Sequence, residues 1–247
     1  MKTLWIGAGA VAWIATGATA ETFDFSDFDR IDVSAGIELI VTEGAAFSVE
    51  AEAIEGNLDR LKIRQSGDRL TIDRRSAMLF GLVRRQDQFR VEVVLPNLTR
   101  LDASSGSLVI LAADGETDVR FDVSSGAQVQ IAQVGGDLEA HVSSGAMMAA
   151  AMAAEAEVEV HISSGASVTV DGPCASLEAE VSSGASLNAG SLLCSEVDLH
   201  ASSSGSIQAH ATGSAELDAS SGGSIVVTGL PTDVSQNTSS GGSVSLR

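Results

Sequence analysis

Asp122-Val123-Ser124-Ser125-Gly126-Ala127-Gln128-Val129 recurs along this chain, and the recurrence decides the fold. Related copies centre on Gly106, Gly126, Gly145, Gly165, Gly184, Gly222 and Gly241, and one more has Ser204 in the glycine place. The steps between corners are 20, 19, 20, 19, 20, 18 and 19 residues. Self-similarity at a fixed period of this size marks a stacked repeat protein.

Alignment on the corner turns the copies into columns. Five and three residues before it stand pairs such as Leu101/Ala103, Phe121/Val123, Val160/Ile162 and Leu217/Ala219. Three and five after it stand Val109/Leu111, Val129/Ile131, Val168/Val170 and Ile225/Val227. Polar residues fill the places between, so each repeat reads as two short strands of period two around a Ser-Ser-Gly corner. Glycine suits the corner because it takes positive φ without a Cβ clash. One such repeat cannot bury its apolar side alone, whereas a stack shares one core. The expected fold is all-β: a single-stranded right-handed parallel β-helix (β-solenoid) of about eight coils of 19–20 residues. Its handedness comes from the crossover rule rather than from any residue. At ~4.8 Å per paired strand such a rod is roughly 38 Å long.

Residues 1–20 read as a secretory signal peptide: Lys2, an apolar run from Leu4 to Ile14, and a small-residue cleavage site at Ala18-Thr19-Ala20. The expected location is therefore exported, in the periplasm, on the cell surface or outside the cell. Without Lys2 the chain holds 13 basic and 33 acidic side chains, a net charge of −20. Twelve of the basic residues lie between Arg30 and Arg120; from Phe121 to Leu246 there is none, against 14 acidic ones. That distribution excludes nucleic acid as a partner, because phosphate contacts need clustered Lys and Arg. No segment after the leader is apolar enough to span a bilayer as a helix, so the mature chain is expected to lack a transmembrane segment.

Residues 21–99 read as an N-terminal strand-rich region and cap, continuous with the solenoid of residues 100–247. Ile31-Asp32-Val33-Ser34-Ala35-Gly36-Ile37 is an outlying copy of the repeat, with Gly36 at its corner. A hairpin is expected around Ser66-Gly67-Asp68, and a strand over Gln88 to Leu95. Met78, Leu79, Phe80, Leu82 and Val83 form an apolar knot between Arg74-Arg75 and Arg84-Arg85. This stretch is expected to cover the open end of the solenoid, with contact to a membrane surface or partner as the alternative. The far end shows no obvious cap, which leaves homo-oligomerisation open.

Cys174 and Cys194 lie 20 residues apart, about one coil. Neighbouring coils would set them side by side, and export favours a disulfide between them. The alternative is two small buried thiols.

Four residues before each corner runs a polar column of Asp102, Asp122, His141, His161, Glu180, His200, Asp218 and Asn237. Within it His141, His161, Glu180 and His200 are candidate zinc ligands, although ligands in a straight line do not converge on one tetrahedral centre. Six before the corner, Glu139, Glu159, Glu178, Asp198 and Glu216 stack like charges, which suits loose counter-ions better than a defined calcium site. The serine columns (Ser104, Ser124, Ser143, Ser163, Ser182, Ser203, Ser220, Ser239) repeat in every coil, which points to structure rather than to a nucleophile. Tyr is absent and both Trp lie in the leader, so stacking platforms for sugars are missing. No catalytic residue and no cofactor is expected.

At this ladder the sequence resembles the putative auto-transporter adhesin family with a head GIN domain, from about Phe28 to the C-terminus. The resemblance rests on the ordered set Ile31-Asp32-Val33-Ser34-Ala35-Gly36-Ile37-Glu38-Leu39, Leu58-Asp59-Arg60-Leu61-Lys62-Ile63, Leu70-Thr71-Ile72, Val91-Glu92-Val93-Val94-Leu95-Pro96-Asn97-Leu98 and Leu101-Asp102-Ala103-Ser104-Ser105-Gly106. It implies an exported bacterial β-helix with a surface or adhesion role, an unknown protein or glycan partner, and no catalytic residues. No translocating barrel is expected in this stretch, which departs from the auto-transport in the family's name. A carbohydrate-active enzyme of pectate-lyase-like shape and a metal-binding envelope protein remain the alternatives. A groove gathering two carboxylates within ~5–10 Å would favour the enzyme.

Overall fold

Alternating sequence makes strands here because one face of every strand can be buried by the next coil. In the computed structural model, residues 20–75, 87–112 and 117–247 are described. The N-terminal region holds β1 (Ala20–Phe23), β2 (Arg30–Val33), β3 (Glu38–Glu43), β4 (Ser48–Glu55), β5 (Leu61–Ser66), β6 (Arg69–Arg74) and β7 (Gln88–Leu95). The ladder continues with β8 (Arg100–Ala103), β9 (Leu108–Ala112), β10 (Val119–Val123), β11 (Gln128–Val134), β12 (Leu138–Val142), β13 (Met147–Met152) and β14 (Glu157–Ile162). Three long strands follow, β15 (Ser167–Val181), β16 (Ser186–Ala201) and β17 (Ser206–Ala219), which run through the bend of their coils with shifts of register there. The chain ends in β18 (Ser224–Thr228), β19 (Asp233–Thr238) and β20 (Ser243–Leu246).

Strands before the corner stack in one parallel series, from β8 through β10, β12 and β14 to β19. Strands after the corner stack in a second, from β9 through β11 and β13 to β20. We call these the first and second sheets. The protein is thus a β-solenoid of about seven turns, where counting corner copies gives about eight. Eight corners enclose seven full coils.

The register matches the sequence columns. Phe121 pairs with Leu101 on one side and Ala140 on the other, and all three are buried. One apolar core runs unbroken from Phe28 to Val227. Burying each leucine or phenylalanine there stabilises by about 1.5–3 kcal/mol, which is why the alternation persists.

The corner is a tight turn in which both central residues are left-handed, Ser125 at φ 52° and Gly126 at φ 72°. Ala127 N donates to Ser124 O at 3.0 Å to close it. Corners are tied to one another through the backbone, since Gly126 N donates to Ser144 O of the next coil at 3.1 Å. Main-chain bonds between coils thus satisfy these turn groups. In the coil with Ser204 at the glycine place, Ser202 N donates to Val181 O as Ser182 N does to Ile162 O. Ser202, not Ser203, therefore holds the first-serine place there.

Chain order and stacking order differ at the N-terminal end. β2 and β3 stack directly on β8 and β9, so the Gly36 copy is a true coil. β6 and β7 form a further rung outside it. Antiparallel strands finish both sheets: β5 on β6, and β4 then β1 on β7. β1 and β4 to β7 thus supply the strands at this end. At the far end the core column that holds Leu199 and Leu217 finishes in Gln236, and the neighbouring column of Ala201 and Ala219 finishes in Thr238. Polar side chains on the last rung dull an otherwise open edge.

Cys174 and Cys194 pair in register on adjacent coils and are joined in a disulfide, with Cα atoms 4.4 Å apart.

Candidate functional site

Side chains at four and six residues before each corner alternate with buried core residues, so both point out from the first sheet. The parallel register then lines them up as two neighbouring columns. One reads Asp32, Asp102, Asp122, His141, His161, Glu180, His200, Asp218, Asn237. The other reads Arg30, Arg100, Arg120, Glu139, Glu159, Glu178, Asp198, Glu216, Ser235. Arginine beside aspartate gives way, after Arg120, to carboxylate beside histidine.

The pairings follow that order. Arg69 reaches Asp32 at 3.0 Å, and Arg100 bridges Asp102 at 3.0 Å and Asp122 at 2.7 Å. Arg120 holds Asp122 at 3.2 Å, pairs with Glu139, and lies 2.9 Å from His141 Nδ1. Further along, His161 sits between Glu159 at 2.9 Å and Glu180 at 3.2 Å, and His200 lies 3.1 Å from Asp198.

Proton affinities respond to these neighbours. Burial, followed by the adjacent Asp32 carboxylate, pushes Asp102 up to about 6 in spite of Arg100. Burial also works to raise Asp122, but the Arg120 and Arg100 guanidiniums outweigh it and hold its carboxyl below the usual range. For His161 the desolvation that would lower its pKa is outweighed by Glu159 and Glu180, so the imidazole is raised.

Between the histidine column and the first serines of the corners runs a groove of about 690 Å³. Asp122, His141, His161, Glu180 and His200 form one wall, and Ser124, Ser143, Ser163, Ser182 and Ser202 face them. A second, smaller groove of about 350 Å³ lies on the other side of the carboxylate column, against Glu178, Asp198, Glu216 and Glu196.

His141, His161, Glu180 and His200 are thus brought to one groove on successive rungs, with the His141 and His161 rings 4.9 Å apart. They are not brought to one centre: among the described residues no three His, Cys, Asp or Glu side chains are placed to hold a metal ion. Met78, Leu79, Phe80, Leu82 and Val83 lie outside the described residues, as do residues 1–19 of the expected signal peptide over residues 1–20. The sequence reading missed the arginines, because it aligned the acidic column without following it back through Arg120, Arg100 and Arg30. The six-before position was legible there, since each arginine stands two residues before an aspartate.

Among the described residues no helix is long and apolar enough to cross a membrane. No curated protein matches the chain. Solved structures do. A putative adhesin from Parabacteroides merdae superposes with a TM-score of 0.81 at 18% identity, over 94% of this chain and 97% of that one. A putative adhesin from Parabacteroides distasonis gives 0.79 at 19% identity over the same shares, 94% and 97%. A protein of that organism described as a putative lipid binding protein gives 0.82 at 17%, again covering 94% and 97%. At these identities the likeness is one of fold. The sequence itself matches the family described as putative auto-transporter adhesin, head GIN domain, over residues 27–231, and the chain belongs to that family.

Proposed function

We propose that the chain is an exported, non-enzymatic envelope or cell-surface protein that works by presenting the outer face of its first sheet. The observation that carries this reading is the repetition itself. The same polar chemistry recurs rung after rung, spread along a groove instead of gathered at one reacting point. A surface that repeats at ~4.8 Å suits extended contact with a partner, and the solenoid is the scaffold that holds it rigid. The family membership supports a binding role, and the leader sequence supports export. The partner is a protein or glycan of the surface the molecule meets.

The test is retention of the purified protein on an array of neutral, anionic and amine-bearing oligosaccharides and of surface proteins. Wild type is compared with Ser143→Trp/Ser163→Trp, which fills the groove. Loss of retention in a variant that still melts like wild type supports the reading. Equal retention removes the groove as the contact face.

A carbohydrate-active enzyme is the second reading, and one observation favours it: Asp102 and Asp122, on adjacent rungs, have proton affinities pushed apart as an acid and a base would. Stacked carboxylates lie within the ~5–10 Å of a hydrolytic pair simply because rungs are that close, so separation alone does not discriminate. The groove walls reach Asp122 but not Asp102. The split has structural causes: burial and Asp32 raise Asp102 in spite of Arg100, while Arg120 and Arg100 hold Asp122 down. Release of reducing ends from any array polysaccharide, abolished in Asp102→Asn, would establish the enzyme.

A further inference from the structure

The internal symmetry of the ladder exposes a grip without its cation. Around Arg120 three side chains collect on one guanidinium: Asp122 on Nε at 3.2 Å, Glu139 on Nη1, and His141 Nδ1 2.9 Å from Nη2. Described by place, these are the four-before carboxylate of one coil, and the six-before carboxylate and four-before imidazole of the next. Glu180, Asp198 and His200 occupy the same three places later in the ladder, in the same parallel register. There the position of Arg120 is taken by Glu178, which pairs with Asp198. From Phe121 to Leu246 the chain offers no lysine or arginine to replace the missing guanidinium. Glu180 shares His161, and Asp198 lies 3.1 Å from His200, so among the described residues the basic partners of these two carboxylates are imidazoles.

We propose that Glu178, Glu180, Asp198 and His200 form a subsite for a guanidinium group, supplied by an arginine side chain of a partner protein. Guanidinium fits better than a metal ion. Its planar fork reaches acceptors that stand apart, as Arg120 does, whereas a metal needs ligands converging on one centre. The charged groups facing His200 are Asp198 beside it, Glu180 on the preceding rung and Asp218 on the following one.

The subsite lies on the contact face proposed above and rests on that reading. Two experiments separate them. Tetra-arginine is titrated into the full protein at pH 7.5, with the His200 ring followed by NMR. The expected result is saturable binding that shifts the His200 ring signals. Glu178→Arg rebuilds the Arg120 arrangement, so it is expected to raise the melting temperature and weaken tetra-arginine binding at least tenfold. Glu180→Gln/Asp198→Asn loses binding without that gain. Absence of binding to wild type, or wild-type binding by Glu178→Arg, overturns the subsite; the second outcome places binding elsewhere on an acidic rod. Equal affinity for tetra-lysine overturns the guanidinium assignment. If array retention by the groove persists while tetra-arginine fails, only the subsite is lost, whereas failure of both removes the contact face.

Discussion

Arg120 and Glu139 occupy the same place on successive coils and face each other as an ion pair, at the rung where the outer ladder changes from arginine to carboxylate. Directly opposed like charges destabilise paired strands, and opposed unlike charges stabilise them by a fraction of a kcal/mol. The junction is therefore the favourable step in a column that otherwise stacks arginine on arginine and glutamate on glutamate. Across the two columns the repulsion is offset sideways on most rungs, by aspartate beside arginine and histidine beside carboxylate, but not where Glu178 stands beside Glu180 or Glu216 beside Asp218.

That arrangement sets the dependence of stability on pH. His161 is raised above 6.5, so its contribution is fully present below that value and is lost as the pH rises through its folded pKa. Asp102 is raised from 3.8 to about 6, so its contribution is likewise present below 3.8 and lost as the pH rises through about 6. Asp122 is lowered and acts oppositely, stabilising above 3.8 and losing that effect only in stronger acid. Calorimetry should show a higher melting temperature near pH 5 than at pH 8, and His161→Gln should flatten the fall above 6.5. A melting temperature that climbs from pH 5 to 8 would contradict the assigned pairings.

The corners give a paired prediction. Ser204 stands at φ 64° in a place where eight other copies use glycine, and a left-handed L-residue costs roughly 1–2 kcal/mol. Ser204→Gly is therefore expected to stabilise by about 0.5–1 kcal/mol, net of the added freedom of the unfolded chain. At the next residue the limit is space, since a Cβ on Gly205 would stand 2.3 Å from the Val181 carbonyl oxygen. Gly205→Ala should destabilise by more than Ser204→Gly stabilises, by about 1–3 kcal/mol as overpacking does. Urea melts of the two variants should move in opposite directions.

The disulfide closes a loop of about one coil, for which chain entropy predicts about 3 kcal/mol. Cys174→Ala/Cys194→Ala should melt on the order of 10 °C lower than wild type under non-reducing conditions. Adding reductant during unfolding should lower wild type and leave the variant unchanged.

Zinc provides a further check on the histidine column. Because His141, His161, Glu180 and His200 stand on successive rungs and each histidine engages a neighbouring carboxylate, a zinc titration should leave the melting temperature where it is. A rise of several degrees would show that the groove bends to converge on the ion.

Most of the fold was legible in the sequence because the burial pattern repeats: Leu101, Phe121 and Ala140 had to stack once the corners were aligned. The hairpin about Gly67 and the strand over Gln88–Leu95 were legible for local reasons of turn chemistry and alternation. The stacking order at the N-terminal end was not. β6 and β7 lie outside β2 and β3 although they follow them in the chain, and no local pattern encodes which face of a coil a later segment will cover. The candidate site was half legible. Its columns followed from spacing, but the lateral grip of Asp122, Glu139 and His141 on Arg120 depends on side-chain reach between coils, which a one-dimensional alignment of glycines does not convey.

The central claim is that the repeated outer face of the first sheet makes contact and carries out no reaction. It is tested most directly by measuring surface retention and polysaccharide cleavage together, on one array, for wild type and Ser143→Trp/Ser163→Trp. The account predicts retention by wild type, at least a tenfold loss in the filled-groove variant at unchanged melting temperature, and no cleavage by either. Undiminished retention by the variant, or cleavage by wild type that Asp102→Asn abolishes, would contradict it.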